Sequence, residues 1–129
     1  MALFQNQVDL AVAPEQALPF CPALNQGQSG ITPAGRDAVR LAPGLYRADV
    51  YLWLRDAAQA GLFLDGDTAP GAAWYAPYPG PLHGAALLDT RTRTQDALLT
   101  LRNTGNEALL TAPYDDMAVN VSLMLMRLA

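Results

Sequence analysis

The sequence predicts an all-β fold, a jelly-roll sandwich in which two antiparallel sheets share about 8–10 short strands. Ten prolines and ten glycines interrupt the 129 residues at short intervals, which leaves few windows long enough for a helix. The segments between these turn-formers are about four to ten residues long, and several alternate in the two-residue period of a strand. The chain has no linker, internal repeat or low-complexity tract, so we expect residues 1–129 to form a single domain.

The first forty residues carry the weakest strand pattern. Short strands are predicted at residues 2–4, 8–12, 17–20 and 38–41, where apolar residues cluster. Residues 25–35, NQGQSGITPAG, are predicted to form an exposed loop because polar residues and glycine dominate them.

The clearest strand is GLYRADVYLWLRD, residues 44–56, which begins just after a proline at a Pro-Gly turn pair. One of its faces is apolar throughout and consists of Tyr46, Ala48, Val50, Leu52 and Leu54. The other face is mixed, and Tyr51 and Trp53 lie on it. We expect the apolar face to enter the core. Tyr51 and Trp53 are candidates for a subunit interface, with ordinary packing as the alternative.

The second half of the chain continues as short strands joined by turns. Asp65-Gly66 lies between apolar runs and predicts a hairpin, with its second strand around residues 72–75. YPGPLHG, residues 78–84, is predicted to be a loop because prolines do not fit a central strand. Further strands are expected from AALLDTRT, DALLTLRNTGN and EALLTAP. This number and spacing of strands fits a jelly roll. An immunoglobulin-like sandwich is the alternative, but the Cys…Trp…Cys spacing is missing.

The chain ends on AVNVSLMLMRLA, a strand that is apolar on both faces. Val119, Val121, Leu123 and Leu125 are expected to enter the core of their own subunit. The opposite row comprises Ala118, Asn120, Ser122, Met124, Met126 and Leu128. In a monomer this row would be an exposed apolar stripe, which isolated proteins avoid. Packing against other copies of the chain would bury it, and methionine side chains adapt well to the gap at such an interface. The alternative is that the N-terminal segment covers this row within one chain.

Short motifs along the chain resemble the tumour necrosis factor and complement globular head superfamily. They are closest to the C-terminal globular domains of bacterial collagen-like proteins of the spore-surface type. Pro43, Gly44 and Tyr46 match the Pro-Gly-x-Tyr that opens a central strand in that group, and Leu64–Gly66 matches a following turn. The closing Ala-x-Asn-x-Ser-Leu and the early Ala-Leu-Pro-Phe at residues 17–20 match as well.

This resemblance implies a non-enzymatic globular head that forms a homotrimer and serves recognition or structural surface assembly. It implies Asn120, Ser122, Met124, Met126 and Leu128 at the trimer interface, with Tyr51 and Trp53 beside them. A collagen-like stalk or a surface ligand would be the further partner, and a cell or spore surface the location. The sequence itself contains no Gly-X-Y tract, and MALFQNQVDL shows no signal peptide.

Charge and composition exclude several function classes. The net charge is −4, and the eight basic residues are all arginines spread singly along the chain, so no basic patch for nucleic acid or an anionic membrane is expected. The longest apolar segment is about a dozen residues, short of the roughly 20 that a spanning helix needs. Hydrophobic residues make up 51% and charged residues only 16%, against the usual quarter or so. Such a composition favours a chain that hides part of its surface in a partner.

No catalytic residue, metal site or cofactor is predicted. The single histidine, His83, lacks an evident partner, and Cys21 is the only thiol, far away in the sequence. Loop carboxylates at Asp65 and Asp67, and at Asp115 and Asp116, have the oxygen ligands that calcium prefers, but turn formation and solvation explain them as well.

An alternative function is a lectin-like, carbohydrate-binding jelly roll. Trp74, Tyr75 and Tyr78 in AAWYAPYPG could stack on sugar rings from a ligand-facing loop. The competing interpretation is that Trp74 packs in the core while the tyrosines cap the sandwich. A cupin-like enzyme would need several histidine and carboxylate ligands, and a single histidine makes that fold a weak third interpretation.

Overall fold

The computed structural model describes residues 1–7, 9–25, 30–112 and 119–129 and is all-β, as predicted. Twelve strands lie in these residues, more than the 8–10 expected, because several three-residue strands extend the sheets at their edges. In chain order the strands are β1 (Ala2–Asn6), β2 (Leu10–Val12), β3 (Cys21–Asn25), β4 (Ile31–Pro33), β5 (Val39–Leu41), β6 (Leu45–Leu54), β7 (Ala58–Leu64), β8 (Asp67–Ala76), β9 (Gly80–Asp89), β10 (Ala97–Asn103), β11 (Leu109–Thr111) and β12 (Val121–Arg127).

The strands form two antiparallel sheets. The first sheet runs in the order β2-β11-β6-β12-β1-β3, and β9 pairs with the other edge of β6. The second sheet runs in the order β4-β5-β10-β7-β8. Strands that are distant in sequence are neighbours in each sheet, which is the connectivity of a jelly roll.

The core lies between the inner faces of the two sheets. The alternation predicted for β6 is confirmed, since Tyr46, Ala48, Val50, Leu52 and Leu54 are all buried. The inward row of β12 is confirmed from Val121 through Leu125, while Val119, which precedes the strand, is half-buried. Leucines of β7 and β10 supply the opposing layer.

The predicted Asp65-Gly66 hairpin is present between β7 and β8. Both turn residues have left-handed backbone angles, with φ of 51° at Asp65 and 86° at Gly66. The Asp65 carboxylate accepts a hydrogen bond from the backbone N–H of Leu98 at 2.9 Å and pairs with Arg93. The turn is thereby fastened to β10 and to the chain before it.

Three local predictions were wrong. Residues 17–20 form no strand, because after the isolated bridge between Ala17 and Arg102 the backbone N–H of Leu18 donates to Leu101 while that of Phe20 donates to Arg36 on a different segment. Of the predicted loop at residues 25–35, residues 26–29 lie outside the described residues, and the remainder includes the end of β3 and the whole of β4. Residues 80–84, also predicted to be a loop, begin β9, which is an edge strand and therefore tolerates Pro81. Among the described residues there is no helix long and apolar enough to cross a membrane.

Candidate functional site

The outer face of the first sheet holds most of the residues predicted to form an interface. The cross-strand register places them in rows that run from β3 to β9. One row is Leu24, Leu3, Met124, Asp49 and Ala85. The next row is Cys21, Gln5, Ser122, Tyr51 and His83. A third row joins Met126, Arg47 and Leu87, and Trp53 stands opposite Pro81.

Several large apolar side chains are exposed on this face. The described chain exposes seven large hydrophobic side chains, and three of them, Leu24, Met126 and Leu87, lie on this face at 43%, 41% and 60% exposure. Leu128, at 50%, directly follows β12. The outer face of the second sheet exposes only Leu98 and Tyr75 from the same set. Among the described residues, more of the exposed large apolar side chains therefore lie on this side of the sandwich than on the other.

Three polar side chains on this face, those of Arg47, Asp49 and His83, lie together. The carboxylate of Asp49 pairs with the guanidinium of Arg47 at 3.1 Å and lies 3.8 Å from Nε2 of His83. Its side chain is only 16% exposed. Asp49 therefore balances the charge of Arg47 on its own strand, and the ring of His83 on β9 lies beside the same carboxylate.

Asn120 departs from the prediction that it lies exposed in the outward row. It is fully buried within one chain, and its Nδ2 donates a hydrogen bond to Oγ1 of Thr111 at 3.2 Å. The reason is topological: β11 and β12 pair end to end along the same edge of β6, and Asn120 occupies the junction between them. The rest of the row behaves differently, with Ser122 and Met124 half-buried and Met126 and Leu128 exposed. Ala118 lies outside the described residues.

Tyr51 and Trp53 both lie on the outer face of β6 and are half-buried. Within one chain Tyr51 stands between Ser122 and His83, and Trp53 stands next to the start of β9. Their position is continuous with the methionines of β12, so all of these side chains belong to one surface.

A second feature is a surface groove of about 520 Å³ at the turn that leads from β8 in the second sheet to β9 in the first. Trp74, Tyr75, Tyr78 and His83 line it together with the prolines of the turn. Tyr75 and Tyr78 are 63% and 77% exposed, whereas Trp74 is half-buried and packs against the core over Gly84. The structure thus brings together the three aromatic residues singled out in the sequence.

The titratable residues considered for catalysis or metal binding are dispersed. Cys21 and His83 share a row but lie on opposite edges of the sheet, about 19 Å apart at four inter-strand spacings. Both carboxylate oxygens of Asp65 are engaged in the hairpin. Asp115 and Asp116 lie outside the described residues. Elsewhere in the described chain, no three His, Cys, Asp or Glu side chains converge into a metal-binding group.

Three further apolar residues, Leu3, Leu24 and Leu87, lie on the outer face and were not predicted there. The position of Leu87 could have been predicted from alternation in β9. Ala86 and Leu88 share one face of the strand, so Leu87 must face away from the core if they enter it. Leu24 carried no such signal, because its side of β3 is set by a register shift in the pairing with β1.

Comparisons with known proteins address the fold. No protein-family model matches the chain, and no curated protein matches it in sequence. Among solved structures, that of murine APRIL at pH 8.5 superposes with a TM-score of 0.70 at 15% identity, covering 98% of this chain and 97% of that one. The structure of murine APRIL at pH 5.0 gives a TM-score of 0.58 at 13% identity, covering 95% of each chain. The chain therefore has the fold of the tumour necrosis factor-like jelly rolls.

Proposed function

We propose that this protein is a non-enzymatic globular head that assembles into a homotrimer through the outer face of its first sheet. The observation that carries the proposal is the concentration of exposed apolar side chains on that face, where Leu24, Met126, Leu87 and Leu128 stand uncovered in one chain. The N-terminal strand β1 lies beside β12 in the same sheet rather than over it. This arrangement argues against the alternative that the N-terminal segment covers the row.

The energetics favour burial of this face in an oligomer. Stable protein interfaces bury on the order of 1,200–2,000 Å² in total. If about 60% of this area is apolar, then at about 25 cal/mol per Å² its burial contributes roughly 18–30 kcal/mol. This contribution from apolar burial exceeds the roughly 4–15 kcal/mol lost in translational and rotational freedom. The difference can offset the ordering of side chains and the desolvation of polar groups at the interface.

The three-fold number rests on the resemblance to the tumour necrosis factor and complement-head class, whose members generally form compact homotrimers. Recognition by exposed loops, or incorporation into a surface layer, would be the role of the assembled head. A collagen-like stalk and a bacterial cell or spore surface belong to the same proposal, because they follow from the resemblance to collagen-like proteins.

Multi-angle light scattering at micromolar concentration tests the assembly. We expect a particle of three times the 13.8 kDa chain mass. Met126→Asp should dissociate it while leaving the fold intact, because the new carboxylate stands opposite Arg47 in the register. Met124→Asp is a harsher variant, since it places a second carboxylate opposite Asp49.

The matched control is Leu98→Asp, an equally exposed apolar position on the outer face of the second sheet. It should remain trimeric. A monomeric wild-type protein would refute the proposal. A Met126→Asp variant that stays trimeric, or a Leu98→Asp variant that dissociates, would show that a different face forms the interface.

A second candidate function is carbohydrate binding in the groove between β8 and β9. The observation that favours it is the exposure of Tyr75 and Tyr78 on the walls of one groove, where they are available to stack on sugar rings. A glycan array with the wild-type protein, Tyr78→Ala and Tyr78→Phe tests it. Stacking predicts that the signal disappears in the alanine variant and persists in the phenylalanine variant. Equal signals in all three proteins, or none in the wild type, would contradict it.

A further inference from the structure

The outer face of the second sheet contains a separate groove of about 460 Å³, which we call the Arg102 groove. Its lining residues are Glu15, Phe63, Gly66, Thr68, Arg102, Asn103 and Thr104. It shares no residue with the apolar face of the first sheet or with the aromatic groove between β8 and β9. A volume of this size lies in the range of about 300–1,000 Å³ that is usual for small-molecule sites.

The groove arises at an irregularity between β7 and β8. Gly61 pairs with Ala73, but Phe63, only two positions along β7, pairs with Thr68, five positions away on β8. The extra residues of β8 bulge away from β7, with Gly71 in a left-handed conformation. Gly66 and Thr68, on the near side of this irregularity, line the groove beside Phe63.

Arg102 is held in position at one wall of this groove. Its guanidinium lies over the ring of Phe63, with Cζ 5.1 Å from the ring centroid, and its Nε donates a hydrogen bond to Oγ1 of Thr100 at 2.9 Å. Arg47, Arg91 and Arg93 pair with carboxylates, but Arg102 forms no ion pair within the described part of the chain. Its two terminal nitrogens are therefore available, and the guanidinium is already oriented, for a planar anion.

Glu15 stands at the rim of the same groove in an unusual backbone conformation. Its φ is +70°, a region that residues other than glycine seldom occupy, and its N–H donates to the carbonyl of Asn103 at 2.9 Å. Although both residues line the groove, Glu15 and Arg102 are not within ion-pair distance. The groove thus has a guanidinium and a carboxylate on its walls with space between them, and Thr68 and Thr104 add hydroxyl groups.

We propose that the Arg102 groove binds a small hydroxylated carboxylate, of the class of sugar acids such as uronic acids. Arg102 receives the carboxylate of the ligand in a bidentate pair. Glu15 accepts hydrogen bonds from ligand hydroxyl groups, and Thr68 and Thr104 can donate or accept further ones. A neutral sugar lacks the anion for Arg102. A simple carboxylate lacks the hydroxyl groups for Glu15.

The test is a titration of the uniformly ¹⁵N-labelled protein with sodium glucuronate at low salt, followed by amide shifts. We expect saturable shifts at the amides of Gly66, Thr68 and Thr104, with a dissociation constant on the order of millimolar for so small a ligand. Glucose and sodium acetate at equal concentration should each bind at least about tenfold more weakly, because each lacks one of the two required groups.

Two variants and a matched control separate binding from folding. Arg102→Gln should weaken glucuronate binding by at least about tenfold, and Arg102→Lys by less, because lysine keeps the charge but not the planar pair of donors. Arg40→Gln, an arginine exposed on the same outer face, should bind as the wild type does. A urea unfolding curve for each variant confirms that it is folded. If Arg102→Gln does not fold, the binding measured for Arg102→Lys decides the test.

Each contrary result would overturn the proposal. These results are no saturable shift with glucuronate, shifts centred outside the Arg102 groove, equal binding of glucose or acetate, and undiminished binding by both Arg102 variants. Tyr78→Ala should leave glucuronate binding unchanged, which distinguishes this site from carbohydrate binding at the aromatic groove. Glucuronate binding should also be unchanged in the Met126→Asp variant, because Met126 belongs to the first sheet and the Arg102 groove to the second. The test is therefore independent of assembly.

Discussion

Gly84 on β9 and Trp74 on β8 pack tightly against each other between the two sheets, and Gly84→Ala tests this contact. A methyl group at Gly84 would lie 2.2 Å from Cε2 and 2.4 Å from Cδ2 of the Trp74 ring. Gly84 pairs with Val50 at the centre of the first sheet, while Trp74 belongs to the second sheet. The indole of Trp74 therefore packs between β8 and β9 directly over Gly84, where any residue larger than glycine would overlap the ring.

The size of the effect follows from this overlap. To reach the 3.4 Å of ordinary van der Waals contact, the ring must retreat by about 1.2 Å. Overpacking of this kind costs about 1–3 kcal/mol. Expulsion of the indole would instead forfeit its packing, which for a half-buried tryptophan is about 2 kcal/mol, less than the roughly 3–5 kcal/mol of a fully buried one. We expect Gly84→Ala to lower the free energy of unfolding by about 2 kcal/mol by either route.

Urea unfolding at one fixed protein concentration measures the cost, since oligomerisation makes stability depend on concentration. The double variant with Trp74→Ala isolates the pairwise contribution, because without the indole the added methyl group has nothing to meet. In that background Gly84→Ala should cost less than about 0.5 kcal/mol. Ala73→Val, an exposed change on the neighbouring residue of β8, serves as the control for a general loss of stability.

Two results would refute this reasoning. One is a Gly84→Ala variant as stable as the wild type. The other is an unchanged cost of Gly84→Ala when Trp74 is already alanine, which would trace the effect to the backbone of β9 and not to the indole.

Three further predictions concern the polar groups that hold the sandwich together. Asn103→Ala should lower the free energy of unfolding, measured by urea titration, by about 2–4 kcal/mol. The buried amide of Asn103 donates hydrogen bonds to two backbone carbonyls and accepts one from a backbone N–H, and all three would be lost. As a control, Asn106→Ala at an exposed position should change the free energy of unfolding by less than about 0.5 kcal/mol. Bonds from the side chain and backbone of Arg91 lower the pKa of Asp89 from 3.8 to about 2, so the stability that this carboxylate contributes is complete above pH 3.8 and is lost as the pH falls through about 2. A carboxyl NMR titration should show that midpoint, and Arg91→Gln should move it toward 3.8; a midpoint near 3.8 in the wild type would contradict the expectation. Burial raises the pKa of Tyr46 above 10.0, so stability should decline as the pH rises past 10, where the unfolded chain releases this proton first. Tyr46→Phe should remove that part of the decline in a pH series of unfolding curves, and an unchanged alkaline profile would contradict it.

Local patterns determined much of the fold without any tertiary information. The apolar face of β6, the inward row of β12 and the Asp65-Gly66 turn were all readable, because alternation and turn conformation depend on residues close in sequence. The apolar surplus of the whole chain also indicated a partner before any face was known.

Tertiary structure decided everything that depends on which strands meet. Pro81 sits in a strand because β9 is an edge, and Asn120 is buried because two strands meet end to end beside β6. Neither condition is visible in residues 80–84 or 118–129 alone.

The same limit applies to the candidate sites. Met124, Met126, Tyr51 and Trp53 could be assigned to one outer face from alternation, but Leu24 joined them only through a register shift. The Arg102 groove could not be predicted from the sequence, because its walls come from segments far apart in the chain and it lies beside an irregular pairing of β7 and β8. Sequence periodicity fixes which way a side chain points along its own strand. The partner that it meets depends on pairing across the sheet, and that pairing is a property of the whole fold.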